Sequence, residues 1–214
     1  MSPAATLWAD NADLAAEALA HPFVQGLADG TLPLPAFQRY IAQDAYFLDA
    51  FVRAYALALA HSPDRQGVRD FFTLLSGALD ELEGHDADAA RWGVRWEEVR
   101  PHRATLAYTD FLLATAALRT IGETCAALTP CMRLYAHLGQ ALAAGGADAA
   151  TPYRAWIETY AHPAFAALAA RLEGLLDRYV RDKEAARVAY RRAMTLEVDF
   201  FTAHDYSMNQ RARV

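Results

Sequence analysis

Three settings in this sequence combine residue types and spacings suited to chemistry. In "AALTPCMRLYAH", Cys131 follows a proline and stands four residues before Tyr135, which puts both on one helical face. If Thr129 is an N-cap and Pro130 the first helical residue, the thiol lies in a first turn, where the helix dipole favours a thiolate. If Pro130 instead interrupts a continuous helix, its missing hydrogen bond opens the ladder beside the thiol. Small packing residue, metal ligand and nucleophile all stay open for Cys131, whereas Cys125 reads as inert packing.

Asp44 forms a second setting. Tyr40, Asp44, Phe47 and Phe51 recur at i, i+4, i+7 and i+11, so a carboxylate shares a helix face with three aromatic rings. Burying it there is costly without hydrogen bonds. It is either a structural Asp, paired with an Arg or capping a helix, or a carboxylate that holds an amino-bearing ligand. Glu197 repeats the problem in "RRAMTLEVDFFTAHDY", among Met194, Phe200, Phe201 and His204, with Asp199 as its solvated neighbour. Such surroundings raise a carboxyl pKa and suit a proton donor, though a salt-bridged helix fits the pattern too. Tyr108, Tyr135, Tyr160 and Phe200 fall on four different helices. They are either core or the lining of a pocket for a flat heterocycle, on which aromatic stacking is effective.

Metal patterns are weak. None of the seven histidines has an acid three residues before it, as a ferritin-like di-iron site requires. Glu17/His21, Glu81/His85, Glu98/His102 and Glu158/His162 are spaced i, i+4 in polar stretches or at helix ends, where surface ion pairs are expected. A Cys/His zinc cluster, a nucleotide-binding glycine loop and a G-x-S-x-G elbow are absent from the sequence. A haem ligand at His21 stays open.

The elements that must position these residues are helical. The 214-residue chain is 54% hydrophobic and Ala-rich, with few strand-like alternations, and predicts one all-α domain over residues 1–214. Helices are expected at Pro3–Ala20, Pro35–His61, Gln66–Glu83, Ala104–Thr120, Gly122–Ala144 (interrupted at Pro130), Thr151–Tyr160, Pro163–Val180 and Lys183–Met208. A short piece is expected at Asp86–Trp92, "HDADAARWGVRWEEVRP" as a surface connection, and a stop at "HPF" followed by the loop "LADGTLPLP". The Pro35 helix is apolar nearly all round and is expected at the centre.

A formal net charge of −6 and no long basic run argue against a nucleic-acid surface. No apolar run of about 18 residues suggests a membrane span. With two cysteines six residues apart, no signal peptide and no lipidation motif, the expectation is a reducing cytoplasm without disulfides.

The segment "HPFVQGLADGTLPLPAFQRYIAQDAYFL" closely resembles the N-terminal signature of the TenA family, also called thiaminase II or aminopyrimidine aminohydrolase. The likeness runs on through "AYTDFL", "LTPCMRLYAHLG" and "WIETYAHPAF" to "LEVDFF", covering nearly the whole chain in order. The resemblance implies a haem-oxygenase-like helical bundle, usually a homotetramer, that needs no cofactor. It implies hydrolysis of 4-amino-5-aminomethyl-2-methylpyrimidine to the hydroxymethylpyrimidine and ammonia, with less efficient cleavage of thiamin to pyrimidine and thiazole. In the cysteine-bearing branch the nucleophile falls on Cys131, the pyrimidine-binding acid on Asp44 and the catalytic glutamate on Glu197. Substrate-contacting rings fall on Phe47, Tyr108, Tyr135, Tyr160 and Phe200. Three positions depart from the pattern: Phe47 stands where many members carry tyrosine, Phe201 replaces a frequent tryptophan, and Tyr206 comes one residue late. They bear on pocket polarity and substrate preference. Two other readings share the resemblance: a haem-oxygenase-like oxidase, and a non-catalytic regulatory ligand-binding protein.

Overall fold

The computed structural model describes residues 1–94 and 99–204, without the side chains of 85–90. These form ten helices: α1 (Pro3–Asp10), α2 (Ala12–Ala20), α3 (Pro22–Asp29), α4 (Leu34–Ala60), α5 (Arg65–Trp92), α6 (Arg103–Leu118), α7 (Ile121–Ala144), α8 (Arg154–Ala161), α9 (Pro163–Tyr179) and α10 (Lys183–His204). Two long buried helices organise the rest. α4 is flanked by α5 and α6, α7 by α8 and α9, and α10 reaches across to α6, α7 and α4. Tyr40, Ile41, Phe51, Ala54 and Tyr55 on α4 are almost wholly inaccessible, as its all-round apolar sequence predicts.

Three element boundaries differ from the sequence reading. The first expected helix is two, because Asn11 is buried and its side-chain amide donates to the Leu7 carbonyl at 2.8 Å, closing one helix while its own carbonyl opens the next. "HPF" is not a stop but a restart. His21 accepts from the Phe23 N–H at 3.2 Å, Pro22 occupies the first turn, and α3 runs until Gly30 at φ 75° ends it. The expected break after Glu83 is absent, since α5 continues to Trp92. Gly84 costs that helix only about 1 kcal/mol, which its buried face outweighs. The expected extension of α10 to Met208, like Tyr206, lies outside the described residues.

α7 starts at a capping box. Thr120 Oγ1 accepts from the Glu123 N–H at 3.3 Å while the Glu123 carboxylate accepts from the Thr120 N–H at 3.3 Å. Gly139 then allows α8 to approach: a Cβ there would collide with the Tyr160 and Ala161 backbone. Gly139→Ala is therefore expected to destabilise the protein by about 1–3 kcal/mol, read as a lower Tm in calorimetry. Because α8 carries Tyr160, the same substitution displaces a ring of the site described next. Among the described residues, no helix is long and apolar enough to cross a membrane.

Candidate active site

The three chemical settings meet in the core. α4 supplies Tyr40, Asp44 and Phe47, α6 supplies Tyr108, α7 supplies Cys131 and Tyr135, α8 supplies Tyr160, and α10 supplies Glu197 and Phe200. All are buried. Tyr108 Oη donates to Glu197 Oε1 at 2.7 Å, and the Cys131 thiol lies beside the same carboxyl group. The rings close around these groups: Phe47 lies 4.8 Å from Tyr108 and 6.1 Å from Phe200, and Tyr135 lies 4.8 Å from Tyr160. Trp156 Nε1 donates to Tyr40 Oη at 3.2 Å, and Tyr40 Oη donates to Tyr135 Oη at 3.3 Å, fixing one edge of the enclosure.

Pro130 lies inside α7, which decides between the two geometries open for Cys131. The thiol sits in the middle of a helix, not in its first turn, so the dipole offers no thiolate stabilisation. Thr129 Oγ1 instead donates to the Cys125 carbonyl at 2.7 Å, adding a side-chain bond where the proline interrupts the ladder. Burial pushes the Cys131 thiol well above its usual range, and the negative charges of Glu197, Glu81 and Asp44 push it further. Burial also raises Glu197, to about 8, helped by the Asp44 charge and opposed by the bond from Tyr108 and by Cys131. The resting state is a neutral thiol beside a carboxyl group raised to about 8.

Glu81 on α5 belongs to this neighbourhood and was hidden by its sequence context. Its i, i+4 spacing to His85 suggests a surface ion pair, yet Tyr160 Oη donates to Glu81 Oε1 at 2.8 Å and its charge acts on Cys131. Glu81 also lines both openings beside the cluster. One is a cleft of about 610 Å³ with Phe51, Tyr55, Met132 and Phe165. The other, of about 180 Å³, is lined by Ile41, Trp156 and Tyr160. Its distance from the other site residues along the chain also conceals it. Trp156 was missed for the same reason.

The expected Glu158/His162 pair does not form. Glu158 pairs with Arg154 at 2.7 Å, and His162 caps α9 by accepting from the Ala164 N–H at 3.2 Å. Glu98 and the side chain of His85 lie outside the described residues. At His21, Nδ1 accepts the Phe23 N–H, so Nε2 carries the proton and faces Thr202 Oγ1 at 3.2 Å. Both ring nitrogens are thus engaged within the protein, which takes away the haem-ligand reading of this residue. Among the described residues, no three His, Cys, Asp or Glu side chains are grouped to hold a metal ion.

Residues 8–206 match the model of the TENA/THI-4/PQQC family. An Arabidopsis thaliana protein named as the mitochondrial bifunctional TH2 protein is 36% identical over 208 residues, covering 85% of this chain, which spans only 34% of that relative. An aminopyrimidine aminohydrolase of Halalkalibacterium halodurans is 35% identical over 187 residues, covering 85% of this chain and 81% of its own length. Among solved structures, a TenA family transcription regulator from Silicibacter superposes with a TM-score of 0.87 at 27% identity, covering 94% of this chain and 95% of the other. With the family model spanning nearly every residue and the same helical arrangement recovered in space, this chain belongs to the TENA/THI-4/PQQC family.

Proposed function

We propose that this protein is an aminopyrimidine aminohydrolase of thiamin salvage. It replaces the amine of 4-amino-5-aminomethyl-2-methylpyrimidine with hydroxyl and releases ammonia, and it acts by cysteine nucleophilic catalysis. The observation that carries the reading is the burial of Cys131, Asp44 and the Tyr108-bonded Glu197 together inside one aromatic enclosure. In this mechanism Phe47, Tyr108, Tyr135, Tyr160 and Phe200 enclose the pyrimidine. Asp44 grips a ring nitrogen and the 4-amino group, which fixes the register.

Glu197 takes the thiol proton as sulfur bonds to the ring carbon beside the 5-substituent, so the buried pair never has to sustain a free thiolate. The displaced ring electrons settle on the nitrogen that Asp44 holds. Their return breaks the bond from the 5-methylene to the amine, and Glu197 passes its proton to the amine to give ammonia. Water then adds to the methylene and loses a proton to Glu197. That proton returns to sulfur as the carbon–sulfur bond breaks and the ring regains aromaticity. Thiamin fits the same scheme with thiazole as the leaving group. A cytoplasmic homotetramer is the proposed setting.

An ammonia-release assay comparing the aminomethylpyrimidine, its formylated form and thiamin tests the reaction. Turnover highest on the aminomethylpyrimidine is expected; binding of all three without turnover of any would replace the hydrolase by a ligand-binding protein. Tyr160→Phe removes the hydroxyl that donates to Glu81 and frees the ring at the edge of the smaller opening. It is expected to lower kcat/KM about tenfold, the equivalent of one charge-assisted hydrogen bond, with most of the change in KM.

A further inference from the structure

Beside the enclosure lies a group of buried polar atoms that the reaction does not use. His204 is fully buried in the last described turn of α10, and neither of its ring nitrogens has a hydrogen-bond partner. Arg39 on α4 likewise has Nε and Nη2 buried without an acceptor. Those two atoms form the edge of a guanidinium that grips two oxygens of one anion at once. The His102 ring stacks on His204 at 5.5 Å, at the N-cap position of α6, where no side chain caps the first turn.

The group is held in place by Gln43, one turn from Arg39 on the same helix. Its amide accepts from the His102 N–H at 2.8 Å and from Thr105 Oγ1 at 2.6 Å, and donates to the Arg100 carbonyl at 2.8 Å. This pins the start of α6 against α4, with every polar atom of Gln43 engaged and the fork of Arg39 left over. Among the described residues, burial and then the charges of His102 and Arg39 lower His204 to about 3, and burial and then Arg39 lower His102. The positive end of the α6 dipole acts in the same direction. At neutral pH each uncharged imidazole offers one N–H beside the charged Arg39 fork and the start of α6, and an anion satisfies these donors together.

We propose that Arg39, His102, His204 and the first turn of α6 form an anion site for a phosphate group, carried either by free orthophosphate or by a phosphorylated pyrimidine. A planar carboxylate would be served by the Arg39 fork alone. Donors arriving from three helices suit a tetrahedral group with several acceptor oxygens. Arg39 and His102 are only half-buried, so the site reaches solvent on their side. His204 closes the inner end, 4.9 Å from Phe200 and 6.1 Å from Tyr40. An occupied site would therefore steady one wall of the pyrimidine enclosure.

The test uses the full chain in phosphate-free buffer, titrated with sodium phosphate against sodium chloride of equal ionic strength, with Tm and calorimetric binding as readouts. Saturable stabilisation by phosphate and not by chloride is expected. Arg39→Gln is expected to weaken it by about tenfold or more, the loss of a bidentate charged contact. In the parent protein, the imidazole NMR signals of His102 and His204 should move as phosphate is added. A second arm compares hydroxymethylpyrimidine with its phosphate ester. Ester binding that depends on Arg39 and is competed by orthophosphate assigns the site to the ester; orthophosphate binding alone assigns it to the free anion. Equal effects of phosphate and chloride, or an undiminished response in Arg39→Gln, overturn the proposal and leave buried water as the occupant. None of these readouts requires turnover, so a failure of the proposed reaction does not affect them.

Discussion

Cys131→Ser is expected to lower ammonia release by about a thousandfold or more, the scale seen when a nucleophile is removed from a group that acts as a unit. The protein should stay folded and should still bind hydroxymethylpyrimidine. The hydroxyl fits the space of the thiol and can donate to Glu197 in its place, so the buried carboxyl keeps a partner. The cost to stability should be about 1 kcal/mol, that of exchanging one modest hydrogen bond for another. What fails is the chemistry, because a buried serine hydroxyl is far less acidic than a thiol and adds poorly to an aromatic ring. The measurement pairs ammonia release with thermal stabilisation by hydroxymethylpyrimidine. Undiminished release would remove Cys131 as the nucleophile. Loss of both signals would instead mean that the substitution had disturbed the enclosure.

Glu197→Gln should be nearly as damaging, by about 10²–10⁴-fold in kcat, the range for a positioned acid–base group. Glutamine can still accept from Tyr108 and the thiol, so the geometry survives while proton transfer does not. The pH dependence separates this role from a structural one. As a base toward the thiol, Glu197 must be ionised, so kcat/KM is expected to rise with pH toward a plateau above about 8. Glu197→Gln should flatten that limb.

Stability moves in the opposite direction. Burial raises the folded-state value of Glu197 from 4.5 to about 8, so between those values the folded protein holds a proton that the unfolded chain has lost. The contribution is complete below pH 4.5 and is lost as the pH rises through about 8, a change on the order of 5 kcal/mol for one buried group. Glu197→Gln, which cannot ionise, should lose less stability over that window. Urea unfolding at pH 5 and pH 8.5 measures it. An equal loss in both proteins would mean that Glu197 is not the group that titrates.

Much of this organisation was legible along the chain. The apolar circumference of α4 marks it as a central helix, and the i, i+4, i+7 spacing of Tyr40, Asp44 and Phe47 places a carboxylate among rings. The proline-containing loop before α4 and the break between α6 and α7 near Thr120 mark helix ends. These are short-range properties, set by backbone sterics and by which residues share a face within a few turns, so the order of the residues alone determines them.

What only tertiary structure decided are the consequences of helices meeting. Glu81 reads as a surface acid beside His85 until α5 brings it under the Tyr160 hydroxyl of α8, 79 residues away. His21, next to Pro22, is open to several readings until its two nitrogens meet α3 and α10. The proline before Cys131 allowed an activated thiolate at a helix start. The continuous α7 gives instead a buried neutral thiol beside Glu197. Arg39, His102 and His204 show no common pattern in the chain and become neighbours only where α4, α6 and α10 converge. Protonation state and hydrogen-bond satisfaction depend on desolvation and on charges from distant segments. Neither quantity exists until the helices pack and exclude water.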